Sequence, residues 1–425
     1  MVMTDGKDLC IAMYPWFAFG HLTSFLHLAN KLAVPHVDGL PPGSETTADV
    51  PVSLHHLLMT AMDLTRPAID ASLFHIRPDI VFFDFTHWLP AVAWKLGIKS
   101  VHYCTVSCAT VSYTLSPRRN LLKRELVESD LMEPPPGFPS SSIRLSAFES
   151  RDLTIPSLKE YGSGISFLER QLTSLSDCDA IAFPTFREIE GPYVAYLESK
   201  LNKPILLAGI LPRPPSSSLE ERMLNWLNRF DPQSVIYCAF GSECVLREDQ
   251  FQELIHGLEL TQKPFFATLK PPVGAESVDS ALPPGLMDNI HGRGVIHEGW
   301  VQQPLVLEHP SVGCFMTHCG SGSLWEGMIS NCQLVLLPHK GDQFINARML
   351  SSEQKVGVLV ERMEDGGFSR DTVCEAIMTV MDEDNDIGKE VRKNHNNWKE
   401  LLLREGLEDS YMEEFVGKLH GLLEA

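Results

Sequence analysis

The sequence predicts an α/β protein built from two doubly wound parallel sheets. Three observations carry that prediction. Short apolar runs alternate with amphipathic segments, the pattern of strands interleaved with helices. A Pro/Ser-rich stretch near the middle, Ala208 to Ser218 (AGILPRPPSSS), interrupts the alternation, which then restarts. The chain has 425 residues, more than one ordinary core holds, and 44% of them are hydrophobic.

In the first half, Leu9 to Met13 reads as a strand and Leu22 to Ala33 as a helix with Phe25, Leu28 and Leu32 on one face. Leu54 to Leu73 reads as one helical segment. Asp79 to Phe83, Val101 to Cys104 and Ala180 to Phe183 read as further strands. In the second half, Ser234 to Phe240 is a strand. The helix after it places Phe251, Leu254, Ile255 and Leu258 at helical spacing. Phe265 to Leu269, Val295 to Glu298, Val312 to Thr317 and Gln333 to Leu337 complete a second sheet. From Ile387 the tail is helical and amphipathic and can pack back across the junction. The expected division is 1–207, a linker at 208–218, a second unit at 219–386 and C-terminal helices at 387–425.

The region between the first helix and Asp79 breaks the pattern. It holds a Pro/Gly-rich loop and one helical segment, but no strand. A complete half of a doubly wound unit needs two more strands, each βαβ unit taking roughly 30 residues. The joint Ala33–Val34 passes from helix to loop without a stop signal. In the usual strand order the two strands would lie together outside the first one, so their loss strips one edge and bares Leu9 to Met13. We expect a segment of the natural chain to be absent between Ala33 and Val34.

Lys plus Arg is 35 and Asp plus Glu is 55, a net charge of −20. So acidic a chain repels phosphate backbones and anionic lipid, which argues against nucleic-acid and membrane partners. A local phosphate site survives, because backbone amides bind anions whatever the net charge. The amino terminus carries Asp5, Lys7 and Asp8 before a short apolar run ending at Pro15, unlike a secretory signal. No run approaches the ~18 apolar residues of a membrane span. The ten cysteines show no metal spacing and suit a reducing, cytoplasmic compartment.

The informative stretch runs from Trp300 to Gln343. A buried strand (CFMT) ends at His318, passes Gly320 and Gly322, and opens a helix near Ser323. Such a turn presents free amides and the positive helix end to an anion, at the carboxyl edge of a sheet. Taken alone, a tight βα connection explains the glycines as well. Around it stand Trp300, able to stack a flat base; Gln303, able to bond a base edge; Glu326, able to accept two ribose hydroxyls; and Asp342 and Gln343, able to bind sugar hydroxyls.

This 44-residue stretch resembles the signature box of the plant secondary-metabolite UDP-glycosyltransferases, family one of the GT-B fold. The match is at Trp300, Gln303, His318, Ser323, Glu326, Asp342 and Gln343. The resemblance implies a GT-B fold, with the first unit binding the acceptor and the second a UDP-sugar. It implies donor contacts from Ser242 (in FGS), Trp300, Val301, Gln303, His318, Gly320, Ser321, Gly322, Ser323, Glu326, Asp342 and Gln343. Trp300 would stack on uracil, Glu326 hold the ribose, His318 and Ser323 meet the phosphates, and Asp342 and Gln343 hold the sugar. The family's HCGWNS is HCGSGS here, and its GVP is Asn331-Cys332-Gln333. Similar departures occur in the subgroup that extends the sugar of flavonoid or other glycosides.

In the first half, His21 follows Phe19-Gly20 at the mouth of the sheet and Asp84 ends the DIVFF strand. The residues alone favour a helix cap and a turn cap. An imidazole of pKa ~6.5 oriented by a carboxylate also suits a general base. The resemblance implies this second role. The expected reaction is inverting transfer from a UDP-sugar to a hydroxyl of a small plant metabolite, with no metal and no cofactor beyond the donor. Trp16, Phe17, Phe85, His87, Trp88 and Tyr103 are acceptor-contact candidates by proximity, although core packing explains each equally well. A soluble monomer is expected. Rival readings are transfer to an aglycone, a UDP-sugar-binding protein with little catalysis, and an epimerase of the same fold.

Overall fold

The structure is a computed structural model that describes residues 9–15, 35–47, 49–121, 123–209, 211 and 218–424. His21, Trp16, Phe17, the first expected helix, the Ala33–Val34 joint and most of the 208–218 linker lie outside the described residues.

Two parallel sheets form the core. The first comprises β1 (Ile11–Tyr14), β2 (Ile80–Phe83), β3 (Lys99–Tyr103), β4 (Ala180–Phe183) and β5 (Ile205–Leu207), paired in that order. The second comprises β6 (Val235–Ala239), β7 (Phe265–Thr268), β8 (Gly294–His297), β9 (Val312–Thr317), β10 (Gln333–Leu336) and β11 (Gly357–Leu359). Its order is β11-β10-β9-β6-β7-β8. The chain winds outward from β6 through β7 and β8, then returns to β9 on the other side, which makes the β6/β9 junction the switch point of a doubly wound sheet. β2, β4, β6, β9 and β10 are buried along their whole length. Strands covered on both faces read as unbroken apolar runs, which is why the sequence pattern found them.

Two strands escaped that pattern, β5 and β11. Each has three residues, too few to show a period. The expected helix from Leu54 to Leu73 is two helices, His55–Leu64 and Arg66–Ile76. They part at Thr65, because Pro67 in the second helix's first turn has no amide to continue the first. The Tyr14 hydroxyl lies 2.5 Å from the Thr65 hydroxyl and ties this corner to β1.

Among the described residues β1 is the outermost strand of its sheet, bonded to β2 alone, and Ile11, Ala12 and Met13 are half-buried. This is the stripped edge expected from the sequence. The opposite end of the chain covers one face of the sheet. Helix Leu407–Glu424 lays Phe415, Leu419 and Leu422 against Phe82, Tyr103 and Leu206. Helix Asp386–Leu402 packs instead on the second sheet, where buried His395 meets the Gly327 carbonyl at 3.1 Å. The tail therefore touches both sheets.

Further ties cross between the sheets. Arg348 donates to both oxygens of Glu149, at 3.0 and 2.9 Å. Gln354 donates to the Ile189 carbonyl, Tyr193 bonds Glu353, and Thr47 donates to Glu243 at 2.7 Å. The carboxyl edges of the two sheets face each other across a cleft.

Candidate active site

The second sheet delivers its polar groups at the switch point. β6 ends in Phe240-Gly241-Ser242 and β9 ends in His318-Cys319-Gly320, so the two strand-end turns lie side by side. The His318 ring packs between them. A Cβ on Gly241 would stand 2.9 Å from His318 Cε1, and one on Gly320 would stand 2.5 Å from Nε2. Both positions exclude a side chain for that reason, and Gly241 also has φ +70. Burial, with help from the nearby Lys340 charge, pushes the His318 pKa down to about 4. The imidazole is neutral near pH 7 and meets an anion as a hydrogen-bonding group.

The helix after β9 runs from Ser321 to Ile329 with Gly320 as its N-cap. It begins two residues before the expected Ser323. No side chain caps it, which leaves the first helix amides for an acceptor other than a cap. Nothing lies within 4 Å of a Cβ built on Gly322, so space stands where the family's Asn would be. Ser321, in place of the family's Trp, sends its hydroxyl to within 3.5 Å of Asp342 Oδ2.

Farther along the helix, Gln303 and Glu326 form one unit. Gln303 Nε2 donates to Glu326 Oε2 at 2.6 Å and to the Ser323 hydroxyl at 3.1 Å. Tyr237 reaches Gln303 Oε1 at 3.4 Å. Burial raises the Glu326 pKa and the Gln303 bond partly offsets it. Trp300, three residues before Gln303 in the chain, is 72% exposed, while its neighbour Val301 is buried. An aromatic left in water is suited to stacking. Ser242 is exposed at the end of its turn.

Asp342 and Gln343 open helix Gln343–Arg348. Gln343 Oε1 accepts from the His339 and Lys340 amides at 2.9 and 3.1 Å, which fixes its loop. Asp342 accepts from Asn346 at 2.9 Å. The structure thus gathers Ser321, Gly322, Ser323, Asp342 and Gln343 at one mouth, with Gln303 and Glu326 joined to it through Ser323.

Facing that mouth is a cavity of about 190 Å³. Asp84, Phe85, Tyr103, Val106, Phe167 and Leu168 line it from the first sheet's side, and Gly341 and Asp342 from the second's. Its walls are mainly apolar. Asp84 is 2% exposed and accepts from the Phe85 amide at 2.7 Å. Of the acceptor candidates, Phe85 and Tyr103 line this cavity.

His87 and Trp88 are not among the residues that line it. Both belong to a buried ionic network that the sequence did not reveal. Arg170, fully buried, grips Asp63 with two bonds of 3.0 and 2.7 Å. Trp88 Nε1 donates to Asp63 at 2.8 Å, and His87 Nδ1 stands 2.9 Å from Arg170. Burial raises the Asp63 carboxyl, but Arg170's bonds and charge outweigh it and hold the pKa low. Arg170 also reaches the Phe85 carbonyl at 3.4 Å, so the network braces the loop that carries Asp84. Arg170 sits mid-helix and Asp63 inside another, and nothing in their spacing marks them as partners.

Comparison with known proteins places the chain in a family. The family description "UDP-glucoronosyl and UDP-glucosyl transferase" matches residues 208–391. The chain is 53% identical to a cyanidin 3-O-galactoside 2''-O-xylosyltransferase of Actinidia chinensis, over 97% of this chain and 98% of that protein. It is 49% identical to an anthocyanidin 3-O-glucoside 2''-O-glucosyltransferase of Ipomoea nil, again over 97% and 98%. The Actinidia alignment runs to 449 positions, whereas 97% of 425 residues is about 412. The relative therefore carries roughly 37 aligned positions with no counterpart here. Among solved structures, a Polygonum tinctorium UDP-glucosyltransferase superposes with a TM-score of 0.78 at 21% identity, over 99% of this chain and 100% of that one. A Phytolacca americana enzyme with UDP-2-fluoro-glucose and pterostilbene gives 0.77 at 22%, over 96% and 99%. These two establish the GT-B fold.

Proposed function

The chain belongs to the plant UDP-glycosyltransferases, and we propose that it moves a sugar from a UDP-sugar onto a sugar hydroxyl of a flavonoid glycoside. The observation that carries the reading is the uncapped helix Ser321–Ile329 with its Gln303–Glu326 unit, linked through Ser321 to Asp342, which lines an apolar cavity walled by the other sheet. In this reading the helix amides, the neutral His318 and Ser323 take the diphosphate. Glu326 takes the ribose, Trp300 the uracil, and Asp342 and Gln343 the transferred sugar. The apolar cavity takes the flat aglycone part of the acceptor. Both relatives named above carry glycoside acceptors in their names, which supports a sugar hydroxyl as the nucleophile.

His21 is the general base and Asp84 holds its imidazole and stabilises the imidazolium. The acceptor hydroxyl gives its proton to His21. Its oxygen then bonds to the anomeric carbon from the face opposite UDP. The bond from that carbon to the UDP oxygen breaks, and UDP leaves with the electron pair. Preorganised amides stabilise the departing charge without reorganising. The anomeric configuration inverts. The enzyme works as a cytosolic monomer and needs no group beyond its two substrates.

Saturation kinetics with a flavonol and its 3-glucoside test the acceptor. The proposal predicts a higher kcat/KM for the glucoside, and a higher value for the flavonol overturns it. The stripped edge at β1 and the roughly 37 unmatched positions support a segment absent between Ala33 and Val34. Transcript sequencing across those two codons tests this. An intervening stretch of about that length is expected, and direct continuity refutes it.

A further inference from the structure

We propose that Asn346 is the positioning residue that aims the Asp342 carboxylate at the donor sugar, and that Ser107 sets it from the acceptor side of the cleft. The proposal rests on the donor-sugar reading of Asp342.

Asn346 lies one turn into the helix that Asp342 opens and is 1% exposed. Its amide is fully used. Nδ2 donates to Asp342 Oδ2 at 2.9 Å and to the Cys319 carbonyl at 3.1 Å. Oδ1 accepts from the Ser107 hydroxyl at 2.7 Å. The reverse orientation would set an oxygen against a carboxylate and a carbonyl, so the network permits one placement.

Each partner has a consequence. Asp342 precedes helix Gln343–Arg348 with helical backbone angles, and its side chain bonds none of that helix's first amides. Asn346 holds Oδ2 of the carboxylate from one side, and the Ser321 hydroxyl stands 3.5 Å from the same oxygen. Cys319 has φ +68, a region in which L-residues are uncommon. The Asn346 bond pins the carbonyl of that residue, in the turn that leads to the phosphate-facing helix. Ser107 caps the helix Cys108–Thr114 of the first unit and follows Thr105 and Val106, two walls of the apolar cavity. One side chain therefore joins the acceptor-side loop, the turn after β9 and the donor-sugar carboxylate.

The test uses the whole purified protein and whichever of UDP-glucose, UDP-galactose, UDP-xylose or UDP-rhamnose turns over fastest. Asn346→Ala, Asp342→Ala, the double variant and Ser107→Ala are compared by steady-state kinetics, UDP calorimetry and thermal melting. Asn346→Ala is expected to lower kcat/KM for the UDP-sugar about tenfold or more, with the Kd for UDP within about twofold of the parent. The double variant should be no worse than Asp342→Ala, since both remove one coupled unit. Ser107→Ala should lower kcat/KM in the same direction but less. Asn346→Asp keeps the volume and sets a second carboxylate against the first. Its activity should recover toward the parent's as pH is lowered and the new group gains a donatable proton, which a packing role would not produce. Additive losses in the double variant, or a UDP Kd that rises in parallel with the kinetic loss, overturn the proposal. If Asp342→Ala leaves the UDP-sugar kinetics unchanged, the donor-sugar reading fails and the proposal falls with it.

Discussion

The two walls of the cleft are built on opposite plans. On the second sheet's side, nearly every polar group comes from 44 consecutive residues, set by two strand-end turns and two helix starts at one switch point. On the first sheet's side, the cavity draws on several separate segments: the end of β2, the loop after β3, and helices from 147 to 177. Its walls are apolar, and its bracing comes from a buried ion pair. The difference follows from the ligands each wall serves in the proposed reaction. A nucleotide diphosphate presents fixed charges and hydroxyls that need fixed partners at fixed offsets. An aromatic acceptor is met by shape and apolar area, which many residue sets supply.

That contrast can be broken at its widest point by His21→Ala. Loss of the general base should cut transfer by about 10²–10⁴-fold, while calorimetry should find UDP affinity unchanged. A folded variant that no longer binds UDP would erase the division between the walls. The next effect is on stability. Removing Arg170 as Arg170→Leu leaves the Asp63 charge buried, at a cost of about 3–5 kcal/mol. Chemical denaturation reads this directly, and a loss below 1 kcal/mol would mean that solvent reaches Asp63 freely.

On the donor wall, Glu326→Ala should weaken UDP-sugar binding by about 1–3 kcal/mol, because charged hydrogen bonds to the ribose are lost. Unchanged affinity would reduce Glu326 to a helix-surface carboxylate held by Gln303. A further effect concerns pH. His318 and His395 are both pushed down to about 4 by burial, whereas an unfolded imidazole titrates near ~6.5. As pH falls from ~6.5 toward 4, the unfolded chain takes up protons that the native one refuses, so stability declines over that window. The raised carboxyls of Glu326 and Glu190 work in the opposite sense, since they hold protons longer in the native state. Their shifts are the smaller, so denaturation midpoints should fall between pH 7 and pH 5. A flat profile would show that the imidazoles are open to water.

The same contrast explains what the sequence made legible. The stretch from Trp300 to Gln343 was readable as a family signature because its residue types stand at set distances along one segment, and the relatives show the family. The helix with Phe251, Leu254, Ile255 and Leu258, all fully buried, was readable because one apolar stripe repeats over its length. β5 and β11 were not, since three residues carry no period. Asp63, Arg170, Ser107 and Asn346 were not, because each acquires its role only from a partner on another segment. The bonds of His87 and Trp88 were hidden for the same reason. Both stand close to Asp84 in sequence, and their side chains bond Arg170 and Asp63.

The central claim is that this chain adds a sugar to a sugar. Tandem mass spectrometry of the product from a flavonoid 3-glycoside and a UDP-sugar tests it most directly. The account predicts a product whose two sugars leave the aglycone together as one disaccharide fragment. Two sugars lost separately from different positions of the aglycone would contradict it.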